Sequence, residues 1–196
     1  MITLLIIIVT ALFSIAAFKQ ADLKYRFIFS PYQVIHRKQW YRVFSAAFLH
    51  ANWEHLIFNM LSFYFFAPYV EARLGIPKFL IIYFGAIVVS SIKDLVKHKD
   101  NHAYSALGAS GAVSAIIFTS ILLNPTSKIM FILLPIPIPA VIFGLIYLAY
   151  SYYMGKKSTD NIGHDAHFWG AIFGFVFPIL LMPSLFSNFI NQLFSN

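Results

Sequence analysis

Long apolar stretches separated by short polar connections dominate the chain. Apolar runs begin near residues 1, 53, 78, 105, 129 and 166. Each run is about 18–25 residues long, which is the length that crosses a hydrocarbon core about 30 Å thick. The pattern therefore predicts six transmembrane helices. We interpret residues 1–196 as one domain, an all-α membrane protein built as a six-helix bundle.

The connections between the runs predict less regular structure. The longest, from Lys19 to about Asn52, carries six Lys or Arg side chains, two interfacial aromatics and a proline break. Such side chains collect at membrane–water interfaces, so we expect a partly ordered loop lying on the membrane surface. The segment "LLPIPIPA" at 133 to 140 predicts a proline-interrupted start to the fifth helix, with local unwinding.

Composition supports the membrane assignment. Hydrophobic residues make up 60% of the chain and charged residues 11%, which leaves too little polar surface to cover a soluble globule. The first run could instead be a signal peptide, but it lacks a basic n-region and a clear cleavage site. The net charge of +7 is scattered among apolar helices, so anionic lipid headgroups are a better counterpart than nucleic acid. With no cysteine, disulfides and thiolate chemistry are excluded.

Four polar side chains inside the predicted spans are the informative ones. They are His55 and Asn59 in the second span, Ser110 in the fourth and His167 in the sixth. Polar groups in lipid are costly, so each is paired, lines water or is functional. Even-numbered helices run in the same direction, and all four residues fall near the beginnings of theirs. We therefore expect them at a similar depth on one side of the membrane.

This set fits an acyl-transfer site. A serine hydroxyl becomes a good nucleophile when a neighbouring base takes its proton, and neutral imidazole suits that task near pH 7. Ser110 is the candidate nucleophile and His167 the candidate base. The side chains of His55 and Asn59 and the Ser110 backbone N–H, in an incompletely bonded first helical turn, are candidate oxyanion donors.

Glycines surround the candidate nucleophile and base. Gly108 and Gly111 flank Ser110 in "GASG" and allow a sharp bend and a close approach. Gly170 and Gly174 are four residues apart on the helix that carries His167. Small residues at this spacing let membrane helices touch backbone to backbone, which would bring the base to the nucleophile.

Other interpretations of these residues remain open. An intramembrane serine often bonds to its own helix, and glycines are common in membrane helices. His164 with His167, or His50 with His55, could ligate a metal, although no acidic residue inside a span offers a third ligand and we expect none. Asp165 could orient His167, but two residues away it points to another face, so we interpret it as a solvated charge at the helix end.

The combination of motifs resembles the rhomboid family of intramembrane serine proteases. "GASG" is similar to the GxSG motif of that family, and "AHFWGAIFG" to its sixth-helix signature of a histidine followed by a GxxxG pair. The resemblance implies Ser110 as nucleophile and His167 as base, with no cofactor. It also implies a six-helix fold and, as substrates, transmembrane proteins with small or helix-destabilising residues near the cut.

The second-helix segment "HANWEHLIFN" is similar to the family's H-x4-H-x3-N pattern. It implies His55 and Asn59 as oxyanion-hole donors and His50 as a structural histidine. "EARLG" at 71 to 75 resembles the family's Glu-x-Arg, and Arg42 lies where the Trp-Arg pair of the first loop has its arginine.

The chain departs from the family pattern at two positions. Tyr41 stands at the loop position where Trp is usual, and Ser114 stands where some members have an aromatic that packs on the catalytic histidine. A rhomboid-like pseudoprotease, which binds membrane helices without cutting them, is the main alternative, but such proteins typically lack the Ser or the His. A channel or transporter would need polar residues through the full membrane thickness.

Orientation is predicted differently by charge and by resemblance. Eleven Lys and Arg residues lie in connections on the active-site side, and only Arg73, Lys78 and Lys128 lie opposite. The positive-inside rule then puts the site toward the cytoplasm. The resemblance implies a site that opens to the extracytoplasmic side of a bacterial inner membrane. We follow the resemblance, because the first-loop charges belong to a surface element and long basic side chains reach headgroups on either leaflet.

Overall fold

A computed structural model describes residues 1–131, 134–157 and 163–194. Within these ranges, helices connected mostly by short segments make up nearly all of the chain, together with one two-stranded hairpin. The elements are α1 (Ile2–Lys19), α2 (Ala21–Phe27), α3 (Pro31–His36), α4 (Tyr41–Ser45), a 3₁₀ turn (Ala46–Phe48), α5 (Trp53–Leu74), α6 (Ile76–Lys97), α7 (Ser110–Leu123), β1 (Lys128–Phe131), β2 (Leu134–Pro139), α8 (Ala140–Lys157), α9 (His164–Leu181) and α10 (Ser184–Phe194).

The six predicted spans correspond to α1, α5, α6, α7, α8 and α9. By length and composition, α1, α6 and α9 are long and apolar enough to cross a membrane, and α7 is a shorter apolar helix. Helix α5 is less apolar because it carries charged residues near both ends. The prediction of an all-α membrane protein is confirmed.

Two predicted helix starts were wrong. The fourth helix begins at Ser110 rather than near residue 105, and the fifth begins at Ala140 rather than near 129. Residues 128–131 and 134–139 form an antiparallel hairpin that pairs Ile129 with Ile138. Alternate prolines in "PIPIP" remove backbone donors and push the residues before them to extended conformations, so this segment is a strand rather than an unwound helix start.

The first connection is more ordered than predicted, because it folds into three short helices and a 3₁₀ turn. Ser30 caps α3 by accepting from the Gln33 N–H, and Pro31 occupies the first helical turn, where its missing N–H is harmless. The predicted connection "GKKSTDN" at 155 to 161 lies mostly outside the described residues.

Helix α7 forms the centre of the bundle and packs against α5, α6 and α9. Its contact with α9 is backbone to backbone: a Cβ on Gly170 would overlap the Gly111 backbone, and one on Gly174 would overlap Ala115. Thr119 Oγ1 also donates to the Gly174 carbonyl at 2.7 Å. The small residues at this interface therefore allow the close approach that their spacing predicts.

The two ends of the bundle are distinct. The Glu71 carboxylate, in the last turn of α5, accepts from the backbone N–H groups of Ile2 and Thr3 at 2.9 and 3.0 Å. The start of α1 thus lies beside the end of α5. The starts of α5, α7 and α9, which carry the four polar residues of the spans, lie together at the other end.

Candidate active site

The four predicted site residues meet in one place. Ser110, His55, Asn59 and His167 all line a single cavity of about 1250 Å³, formed by the starts of α5, α7 and α9 together with the ends of α6 and α8. Helix direction predicted a shared depth for these residues. The structure adds that they face a common space.

Ser110 is the first residue of α7, with Ala109 as the N-cap. The first backbone hydrogen bond of this helix runs from the Val113 N–H to the Ala109 carbonyl. The N–H groups of Ser110, Gly111 and Ala112 come before it, so they have no acceptor within the helix. A helix N-terminus with free donors favours negative charge. Ser110 therefore supplies both a hydroxyl and a backbone N–H at a helix start, and such a position favours a negatively charged oxyanion.

Gly108 makes the turn into α7 possible. Its φ of +121° is a conformation that other residues rarely adopt, and a Cβ there would come within 2.7 Å of the His55 ring carbon Cε1. Gly108, two residues before Ser110, therefore allows both the backbone bend and the close approach of the His55 imidazole.

The segment that leads into Ser110 is fixed to the first connection by backbone hydrogen bonds. Ala106 and Phe29 exchange two N–H···O bonds of 3.0 and 3.1 Å, and the Gly108 N–H donates to the Ala46 carbonyl at 3.0 Å. Sequence reasoning missed this clamp, because the short helices and the bridge that supply its partners carry no regular pattern.

His167 lies in the first turn of α9, where the Gly170 contact brings its helix against the start of α7. The ring of Tyr147 stacks on the imidazole, with centroids 6.4 Å apart and an interplanar angle of 26°. Asp165 pairs with a cation on a neighbouring helix. Its carboxylate accepts from Lys93 Nζ at 2.7 Å and its side chain is only 21% exposed, so it forms an ion pair between α9 and α6 rather than the solvated charge we expected.

The α5 side of the site is organised around its first turn. Asn52 caps the helix by accepting from the His55 N–H at 2.8 Å. Asn59 is buried, and its amide Nδ2 donates to the His55 carbonyl at 2.9 Å. An amide group has two N–H donors, so one remains for a ligand in the cavity.

His50 lies beneath the site and is fully buried. The Ser14 hydroxyl donates to the Phe48 carbonyl at 2.8 Å and lies 2.9 Å from His50 Nδ1, so it accepts from a protonated Nδ1. Burial, with a smaller contribution from the charge of His55, lowers the pKa of His50 to about 3. The neutral His50 imidazole packs edge-on against the His55 ring, with centroids 4.9 Å apart, and so supports the position of His55.

Arg42 is buried and ties the first connection together. Its guanidinium donates to the carbonyls of Tyr25 and Ile28 at 2.9 and 2.8 Å and to Gln39 Oε1 at 2.6 Å. Tyr41, at the position where the family pattern has Trp, donates to the Arg26 carbonyl at 3.1 Å. These bonds anchor the segment that in turn clamps the start of α7.

The rim of the cavity carries a second polar cluster that sequence reasoning did not single out. Tyr104 donates to Asp94 Oδ2 at 2.7 Å and stacks on the His98 ring with centroids 3.7 Å apart. Burial, the hydrogen bond and the negative charge of Asp94 raise the pKa of Tyr104 above its ordinary value. The cluster fixes the loop between α6 and α7, and this loop leads directly into Ser110.

Comparison with known proteins decides the family. The rhomboid domain model matches residues 37–184, which is more than half of the chain. The chain belongs to the rhomboid family. Residues 37–184 include His55, Asn59, Ser110 and His167 and most of the residues that line the cavity, so the predicted resemblance is confirmed for these parts of the site.

Curated rhomboid relatives are similar at moderate identity. The rhomboid-family protein YdcA of Bacillus subtilis is 29% identical over 150 residues, which cover 72% of this chain and 67% of YdcA. RHOMBOID-like protein 12, mitochondrial, of Arabidopsis thaliana is 29% identical over 65% of this chain and 42% of its own length. Rhomboid protease GluP of Bacillus subtilis is 28% identical over 72% of this chain and 26% of its own length. The chain thus spans less than half the length of two of these relatives.

Proposed function

We propose that this rhomboid is an intramembrane serine endopeptidase that hydrolyses peptide bonds in or beside the transmembrane segments of other membrane proteins. The observation that carries the proposal is the meeting of Ser110, at the start of α7, with His167, at the start of α9, in one cavity that also contains His55 and Asn59. The name of the relative GluP, a rhomboid protease, supports the same chemistry.

In this mechanism Ser110 Oγ attacks the scissile carbonyl carbon while His167 takes the hydroxyl proton. The carbonyl oxygen becomes an oxyanion, and the Ser110 N–H with the side chains of His55 and Asn59 stabilises it. Collapse of the intermediate breaks the C–N bond, and His167 returns the proton to the leaving amine. Water then attacks the acyl-enzyme with His167 again as base, which releases the second product and restores Ser110. No step needs a cofactor.

We treat residues 1–196 as one functional unit. Helix α1 lies outside the matched range 37–184, yet its first turn is capped by Glu71 of α5 and its Ser14 bonds the buried His50. These contacts support a role for α1 in holding the site together.

The test is cleavage of a membrane-embedded reporter whose transmembrane segment contains small residues near the expected cut, with purified protein in proteoliposomes. Ser110→Ala and His167→Ala should each abolish cleavage. Ser120→Ala is a matched control, because it makes the same change on the same helix more than two turns from the site. Cleavage by Ser110→Ala at the wild-type rate would overturn the assignment, and binding of the reporter without cleavage by the wild type would favour a pseudoprotease.

We further propose that the site opens to the extracytoplasmic side of a bacterial cell membrane. Arg42, one of the eleven cations on the active-site side, is bonded to backbone carbonyls inside the first connection, so it reports local structure rather than topology. The chain has no cysteine, so Lys99→Cys, which is exposed on the active-site side, introduces a unique thiol.

An impermeant maleimide should label Lys99→Cys in intact cells. Thr126→Cys, which is exposed between α7 and the hairpin at the opposite end, should be labelled only after lysis. The reverse pattern would contradict the outward orientation and favour the charge count.

A further inference from the structure

Tyr147 joins the two helices that carry the proposed nucleophile and base. It lies on α8, and its ring stacks on the His167 imidazole with centroids 6.4 Å apart. Its hydroxyl lies 2.6 Å from Ser114 Oγ, one helical turn after Ser110 on α7. One side chain therefore contacts the ring of the base and is tied to the helix of the nucleophile.

The other neighbours of Tyr147 leave its ring little freedom. Phe118 and Phe143 pack around it with centroids 5.7 and 5.8 Å away, within the 4.5–7 Å range of favourable aromatic pairs. A tyrosine hydroxyl inside a bundle needs a hydrogen-bond partner, and Ser114 provides one. Packing and tether together fix both the position and the orientation of the ring.

A fixed ring beside an imidazole restricts a torsion that affects the alignment of a general base. The χ2 angle of histidine has a broad energy minimum, so the imidazole can rotate away from the nucleophile unless a neighbour holds it. Stacking limits that rotation. A small misalignment of base and nucleophile lowers the rate strongly, by up to about 100-fold for a displacement of about 1 Å.

Ser114 has the right size for this arrangement. It is 2% exposed in the centre of the bundle, and its short side chain leaves the space that the Tyr147 ring fills while it offers a hydroxyl to the phenol. The position thus acts with Tyr147 as a pair across α7 and α8.

We propose that Tyr147, tethered by Ser114, is a positioning residue that holds the His167 imidazole in register with Ser110. The inference rests on the proposed function, because it assigns His167 the role of base. It adds a residue on a different helix, one that the catalytic motifs do not contain.

The test compares variants of the purified full chain by steady-state cleavage and by the rate at which a fluorophosphonate labels Ser110. Tyr147→Ala should lower kcat and the labelling rate about 10–100-fold with KM within about twofold, since geometry rather than substrate binding is disturbed. Tyr147→Phe keeps the ring and should recover most of that loss. Tyr153→Ala, an exposed tyrosine on the same helix, should behave as wild type.

The tether is tested separately. Ser114→Ala and Tyr147→Phe should each lower kcat about 2–10-fold, and the double variant should be no slower than either single, because both remove the same bond. These conservative variants keep the core filled, so they decide the matter even where Tyr147→Ala does not fold.

Wild-type kcat and labelling in Tyr147→Ala, or in both conservative variants if the alanine variant does not fold, would overturn the positioning role while leaving the dyad intact. So would equal losses in Tyr147→Ala and Tyr147→Phe, since the ring would then contribute nothing. A wild-type protein that is neither labelled at Ser110 nor active would overturn the proposed function and this inference with it.

Discussion

Helices α7 and α8 are neighbours, but α7 is almost entirely buried and α8 is mostly exposed. In α7, 12 of the 14 residues are buried, and the helix touches α9 through glycine backbones. In α8, only Ala140, Gly144 and Ser151 are buried among 18 residues, and side chains such as Leu145 (65% exposed) face outward. The nucleophile therefore lies on a helix whose position is fixed on all sides. The helix beside it contacts His167 through Tyr147, and its end lines the cavity with Met154 and Gly155.

Glycines on α8 and α9 look alike in the sequence but have different surroundings in the structure. Gly170 lies where any side chain would overlap the backbone of α7, whereas a Cβ on Gly144 would come within 3.2 Å of only the flexible end of Ile121. Close packing resists added volume when the neighbour is backbone and tolerates it when the neighbour is a movable methyl group.

The largest expected effect comes from breaking the α7–α9 contact. The double variant Gly170→Ala/Gly174→Ala should not give stably folded protein, because each new Cβ would overlap backbone atoms of α7. The matched variant Gly144→Ala should stay within about 1 kcal/mol of the wild type, since alanine also favours the helix. Thermal unfolding in detergent measures both. Equal melting temperatures for the double variant and the wild type would show that the helices can separate without loss of stability.

A truncation pair compares the cores of the two helices directly. Ile116→Ala in α7, where the side chain is fully buried, should destabilise the protein by about 2–5 kcal/mol through the cavity it leaves. Leu145→Ala on the exposed face of α8 should change stability by less than about 0.5 kcal/mol. Denaturant titration of the two variants gives the difference, and similar losses from both would contradict the contrast between the helices.

The first turns of α5 line the same cavity as the start of α7. Asn59→Ala should lower kcat about 10–1000-fold with the fold intact, because it removes one of several donors aimed at the developing charge. Asn124→Ala, an amide at the opposite end of α7, is the control and should leave kcat unchanged. An unchanged kcat for Asn59→Ala would mean that its amide only bonds the His55 carbonyl.

The smallest expected effect is a pH dependence from His50 beneath the site. Its pKa is lowered in the folded state to about 3, from an ordinary value of 6.5, so between these values the unfolded chain binds the extra proton. Stability from this group is complete above pH 6.5 and falls as the pH drops, with a slope approaching about 1.4 kcal/mol per pH unit.

Unfolding measured between pH 7 and 5 should show this slope, with the loss toward acid. His50→Gln should flatten it, because the variant has no group at that position to titrate. A slope that is the same in the variant would assign the pH dependence to other groups.

Much of the fold follows from the sequence because lipid imposes a simple rule. Apolar length predicted the six helices α1 and α5 to α9, and helix direction predicted that His55, Asn59, Ser110 and His167 lie at the same end of the bundle. The spacing of Gly170 and Gly174 predicted the α7–α9 approach. Each of these signals depends on local pattern alone, which is why it could be seen without a structure.

What the sequence did not reveal depends on contacts between distant segments. The bridge between Phe29 and Ala106 joins two irregular stretches, and the tether from Tyr147 to Ser114 crosses two helices whose facing residues no periodicity identifies. The alternate prolines after residue 134 indicated a break but not a hairpin, since strand pairing depends on a partner, here residues 128 to 131.

Reaction with a fluorophosphonate tests the central claim, that Ser110 at the start of α7 is activated by His167 at the start of α9. The purified wild type should gain one adduct by intact mass, mapped to Ser110 by peptide sequencing. Ser110→Ala should gain none, His167→Ala should react far more slowly, and Ser120→Ala should match the wild type. An adduct at another serine, or unchanged labelling in Ser110→Ala or His167→Ala, would contradict the account.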